Sequence, residues 1–169
     1  MMLASRLVEL IQHKAHVLGK RWSREVLENP LTPSYGRMEE TELRRRAENV
    51  YASLGHWLDH SISRDEAKER YFQLGARRYT EGFEILEMVV GLSLEKSILM
   101  DVLAEESLFS NPLEMHGVIE LMAAIMDFFD RALVYAVQGY ETERRQGIQI
   151  TPGTVRPTRV WFAIPEKPE

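Results

Sequence analysis

Two arginines, Arg77 and Arg78, stand between two glycines, Gly75 and Gly82, inside the stretch YFQLGARRYTEGFEILEMVV. Aromatic residues flank them on both sides: Tyr71, Phe72, Tyr79 and Phe83. Helical spacing puts Arg78 on the face of Leu74 and Tyr71, the inward side. A guanidinium taken out of water needs a partner. The available partners are Glu81, Glu84, Glu87 or a bound anion, and a pocket of Tyr71, Arg78, Tyr79 and Phe83 would suit a small acidic ligand.

Histidines offer a second chemistry. His56 and His60 are four apart in one helical segment, and His116 and Glu120 are four apart in another. Helical bundles hold metal ions with such pairs, so His56, His60, His116 and Glu120 form an alternative hemerythrin-like reading. The order of the pairs is the reverse of the hemerythrin pattern, and its final His-Asp element is missing. No glycine-rich nucleotide loop and no nucleophile elbow is present. The serines have no arranged histidine partner. Catalysis has no residues here, and the expectation is a protein that is not an enzyme and needs no cofactor.

The elements that must position these residues read as helices. Leu3, Leu7, Leu10, Ile11, Leu18, Trp22 and Val26 make one face of a first helix over 3–27. Asn29-Pro30 and Pro33 end it and open a loop over 30–38. A second helix over 39–60 carries Leu43, Ala47, Val50, Leu54, Trp57 and Leu58, with Arg44, Arg45 and Arg46 on a solvated mixed-charge face. Ser63-Arg64-Asp65-Glu66 is a capping box that starts a third helix. Gly75 would let another helix approach closely, and Gly82 would take a positive φ where the third helix ends. A fourth helix over 82–107 is apolar on two stripes, leaving Glu84, Glu87, Gly91 and Glu95 as a narrow solvated strip. Asn111-Pro112-Leu113-Glu114 starts a fifth, which runs to about 145. Its methionines 115, 122 and 126 read as adaptable core or interface filler.

The fold class is therefore all-α: a five-helix bundle or globin-like domain over residues 1–146. A Pro-rich irregular tail over 147–169 carries one short extended piece around 159–164. In 169 residues with no cysteine, 44% hydrophobic and 28% charged, the balance is that of one globular domain without disulfides. A net charge of −5 argues against nucleic acid as a partner. No apolar run reaches the ~20 residues of a membrane span. The expected location is the cytoplasm. The long apolar faces of the first, fourth and fifth helices predict a homodimer, with the first and fifth supplying the contact.

The stretch LGARRYTEGFEILEMVVGLSLEKSIL resembles the N-terminal sensory domain of RsbR/RsbRD-type co-antagonists of bacterial stressosomes. A similar helical module stands at the front of some bacterial sensor kinases. Gly75, Arg78, Gly82, Phe83 and Glu87 stand at the places of the family pattern. Trp22, the proline-rich loop ending in Tyr35, and the Leu54-Trp57-Leu58 cluster fit as well, and the resemblance covers about residues 5–145. It implies a non-haem, dimeric sensory domain that responds to a ligand or a signalling partner and passes a signal to an output domain. Residues 146–169 are too short for such an output domain, so the expectation is either action through a separate protein or a stand-alone relative with another task.

Overall fold

The computed structural model describes residues 2–105 and 115–147. Five α-helices account for nearly all of them: α1 (Met2–Glu28), α2 (Glu40–Leu58), α3 (Arg64–Thr80), α4 (Ile85–Glu105) and α5 (Met115–Gly147), with a 3₁₀ turn at Pro33–Arg37 between the first two. No strand occurs among the described residues. The all-α expectation holds. The start signal at Asn111–Glu114 and the extended piece of the tail lie outside the described residues, and α5 runs through Gly147, the first residue of the expected tail.

The helix ends follow from local chemistry. The Ser63 hydroxyl accepts a hydrogen bond from the Glu66 backbone N–H, and the Ser63 N–H donates to the Glu66 carboxylate at 2.8 Å, completing the capping box. Gly82 takes φ +78° and closes α3. The Asn29 side chain accepts from the Leu31 N–H at 2.9 Å, and the Thr32 hydroxyl donates to the Val26 carbonyl at 2.7 Å. These bonds hold the proline loop against the end of α1.

Helix pairs build the core. α1 lies antiparallel on α2: Gly19 faces Arg44 and Glu48, while Gly55 faces Val8. Leu7, Ile11, Leu18, Trp22 and Val26 are all buried there against Leu43, Ala47, Val50, Tyr51 and Leu54. α3 and α5 run in the same direction and cross at two glycines. A Cβ on Gly75 would collide with the Ala136 carbonyl, and one on Gly139 with the Phe72 carbonyl. The close approach expected of Gly75 is met, and Gly139 is its counterpart on α5. Phe128, Phe129, Ala132, Ala136 and Tyr140 fill the interior from α5. α4 spans both pairs, tied to α1 by Arg21–Asp101 at 3.0 Å and to α5 by Lys96–Asp130 at 3.4 Å.

One expectation is corrected at this level. Glu87 and Glu95 are not a solvated strip: each is 3% exposed, and Gly91 between them is buried too. The inward face of α4 is Glu87, Gly91, Glu95, Ile98 and Val102, whereas Leu86 points outward at 52% exposure. The physical reason is what meets that face. The Tyr35 hydroxyl sits where a Gly91 Cβ would be, and the Trp22 indole N–H donates to the Gly91 carbonyl at 2.9 Å. α1 packs Leu7, Ile11, Leu18, Trp22 and Val26 into the core with α2 and α4, while Val17 and Leu27 stay exposed.

Candidate functional site

The site grows from the turn between α3 and α4. Arg78 lies in the last turn of α3, on the inward face set by Ala67, Tyr71 and Gly75, and is 8% exposed. Its Nη1 donates to Glu81 Oε2 at 2.9 Å. Glu81 also accepts two bonds from Arg46 of α2, at 2.9 and 2.7 Å. Glu81 is thus a clamp shared by two arginines from different helices. Those arginines, Arg46 foremost, hold its carboxyl below the usual range against the effect of burial. The guanidinium of Arg78 stands over the Phe83 ring, 5.4 Å from its centroid. Of the partners expected for Arg78, Glu81 is the one in contact.

The turn is held from every side. Arg37 donates to the Gly82 carbonyl at 3.2 Å, and the Tyr140 hydroxyl to the Phe83 carbonyl at 2.7 Å. Tyr35 packs edge-on against Phe83 at 4.7 Å and against Trp22 at 5.5 Å. Glu87 accepts from the Ser34 N–H at 2.6 Å and the Glu84 N–H at 2.8 Å, which joins the start of α4 to the 3₁₀ turn. Burial pushes the Glu87 carboxyl up, but these amide bonds outweigh it and the net shift is down.

Below the turn lies a carboxyl with the opposite behaviour. Glu95 shares a small internal cavity with Trp22, Tyr35, Arg46, Arg78 and Gly91. Its Oε2 has no hydrogen-bond partner among the described residues. Burial pushes its pKa well above the carboxylate range, and the nearby charge of Arg78 opposes this only in part. Burial also raises Tyr35 to about 12, again against the pull of Arg78. Burial thus favours the neutral form of Glu95, which faces a cation across a tight, mostly apolar space.

Above the turn, α2 and α3 diverge and leave an open groove of about 330 Å³. Tyr71 and Arg78 line it. Phe83 backs Arg78 from the interior, and Tyr79 turns toward α5, where its ring meets Tyr140 at 5.4 Å. The structure thus brings two of the four expected ligand residues into one groove. It adds Arg46, 17% exposed at the side chain, which the reading of 44–46 as a solvated face missed. A contact to a helix far along the chain leaves no local trace. A signal for Glu95 did exist: Glu87, Gly91 and Glu95 extend the buried stripe of Ile98 and Val102 by helical steps.

The metal reading does not assemble. α2 ends at Leu58, and His60 adopts φ 58° beyond it, so His56 and His60 share no helix face. His56 Nδ1 meets Ser61 Oγ at 2.9 Å. His116 and Glu120 pair at 3.3 Å on the surface, 87% and 69% exposed at their side chains. Among the described residues no three His, Asp or Glu side chains gather as a metal site. None of their helices is long and apolar enough to cross a membrane.

Comparison with known proteins gives one match. The family described as the RsbT co-antagonist protein rsbRD N-terminal domain matches residues 17–151. No curated protein and no solved structure matches. The chain belongs to this rsbRD N-terminal domain family, and the resemblance carried by Gly75, Arg78, Gly82 and Phe83 holds.

Proposed function

We propose, from the chain's membership of the rsbRD N-terminal family, that it is a non-enzymatic signalling domain. It works in the cytoplasm as a helical dimer that answers to a ligand or a protein partner. The family match is the observation that carries the signalling part. Support for the responsive part comes from the α3–α4 turn. Three residues of that link, Glu81, Gly82 and Phe83, are bonded or packed to α2, to α5 and to the 3₁₀ turn. A displacement of any one of these is felt by the others, as a two-arrangement switch requires.

Support for the dimer comes from apolar surface that the chain itself leaves open. α4 is the most apolar helix, yet Leu86 is 52% exposed, and the half-buried Val90 and Leu94 lie on the same outward side as Ser93 and Ser97. A helix apolar all round belongs in an interior, and a second copy can supply the missing side. This surface replaces the first helix in the expected contact.

Two measurements test the proposal. Native mass spectrometry of the full chain should return a dimer, and a strict monomer overturns the dimeric part. In the source organism, deleting the chain should shift the onset of the general stress response, and an unaltered onset overturns the signalling part.

A further inference from the structure

α2 and α3 follow one another in the chain but diverge, and their shared groove has an unusual lining. Arg45 and Arg46 face it from α2, and Arg70, Arg77 and Arg78 from α3, with Tyr71 beside them. Among the described residues the carboxylates on the lining are Glu42 and Glu81. Five cations against two anions make a positive recess in a chain whose net charge is −5. Both carboxylates are already engaged: Glu42 by Arg45 and Arg46, and Glu81 by Arg46 and Arg78. Arg70 donates to the Ser53 hydroxyl at 2.6 Å, and neither it nor Arg77 has a carboxylate partner among the described residues.

A second observation points the same way. Among the described residues the Tyr71 hydroxyl, which lies beside Ser53, and the Arg78 Nε are buried donors without a hydrogen-bond partner, and both residues line the groove. Buried donors are nearly always satisfied, so an orphan pair beside a cationic recess marks a place for an acceptor. Arginine suits that acceptor when it is a carboxylate or phosphate, because its planar fork matches two oxygens.

We propose that the α2–α3 groove binds a small soluble oxyanion, a carboxylate or a phosphate. Arg70 and Arg77 draw it in, and Tyr71 and Arg78 hold it at the floor. A volume of about 330 Å³ suits a metabolite-sized molecule and not a polymer. The ligand would sit directly on the Arg46–Glu81–Arg78 clamp and compete with Glu81 for Arg78. This deepens the sensory reading and rests on it for the ligand's role as a signal; the binding is measured without it.

The test is calorimetric titration of the full chain with inorganic phosphate and with succinate, against potassium chloride at matched ionic strength. One-to-one saturable binding of either anion is expected. Phosphate alone assigns a phosphoryl ligand, and succinate alone assigns a carboxylate. Arg70→Gln and Arg77→Gln should each weaken it about tenfold, the scale of one lost charge-assisted bond. Tyr71→Phe separates a ligand role from a structural one. It should weaken binding while leaving the melting temperature of the unliganded chain unchanged or higher, because an orphan hydroxyl has been removed. Binding no stronger than the chloride control, or binding indifferent to all three substitutions, overturns the proposal. Anion binding combined with an unaltered stress response in the deletion strain leaves the groove standing and removes the sensory reading. An altered response without anion binding does the reverse.

Discussion

Glu95 is the residue whose chemistry departs furthest from its type. Among the described residues the titratable and charged groups near it are Arg78 and Tyr71 from α3, Tyr51 from α2, Tyr35 from the 3₁₀ turn, and Arg46 on the same cavity. No second carboxylate of the described residues lines that cavity. An acid whose folded pKa is raised is protonated in the native state while the unfolded chain has already ionised. Its contribution is fully present below the unfolded value of about 4.3 and is lost as pH rises through the folded value. Glu95→Gln keeps the shape and removes the titration. The variant should match the parent near pH 4 and gain on it by about 1.4 kcal/mol per pH unit across that window. Urea denaturation at a series of pH values measures this, and a constant difference at every pH would show that Glu95 ionises freely. The clamp titrates in the opposite sense. Glu81 and Glu42, the latter lowered to about 2 by bonds from Arg45 and Arg46, support the fold above the unfolded value and lose that support as pH falls. The inward turn of Arg78 was legible from its spacing to Tyr71 and Leu74. The burial of Glu95 was legible only in part: helical steps put it on the stripe of Ile98 and Val102, but two carboxylates on one helix read as solvated until Tyr35 and Trp22 are known to cover them.

At the scale of elements, the α3–α5 crossing is the tightest feature of the fold and rests on a reciprocal glycine pair. Alanine at Gly75 or Gly139 adds a methyl group that meets the facing backbone, which cannot step aside as a side chain can. Alanine gains roughly 1 kcal/mol in helix propensity, but overpacking costs about 1–3 kcal/mol, and a rigid backbone neighbour puts these sites at the upper end. Each single variant should therefore be destabilised by about 1–2 kcal/mol. The double variant should lose less than the sum, because a crossing opened by the first methyl group already accommodates the second. Strict additivity in urea melts would mean that the two glycines do not share one contact. Gly75 could be read in advance as a close-approach site because it interrupts a clean helical period. Gly139 could not, since the partner of a crossing is set by the path of the chain through α4 and not by its own neighbours. Helix positions were legible from periodicity, caps and prolines. The rotation of α4 was not, because a helix apolar on most sides gives its spacing no preferred face.

For the whole molecule, the same weakness in the α4 pattern becomes informative. The inward side of α4 is chosen by polar contacts: Ser34 and Glu84 amides on Glu87, Trp22 on the Gly91 carbonyl, and the Tyr51 hydroxyl on the Glu95 carbonyl. That choice sends Leu86 outward with Val90 and Leu94 beside it, an arrangement that serves a lone chain poorly. If two copies share this surface, unfolding is coupled to dissociation. Each tenfold rise in protein concentration then adds about 1.4 kcal/mol to the stability of the dimer. The melting temperature of the parent chain should climb with concentration. Leu86→Lys should flatten that dependence and give the lower melting temperature of a monomer. Val17→Lys, at an equally exposed position on α1, should leave it intact, because α1 has already spent its apolar face on α2 and α4. A parent melting temperature independent of concentration would place the outward side of α4 in water. A dependence abolished by Val17→Lys in place of Leu86→Lys would return the contact to the first helix.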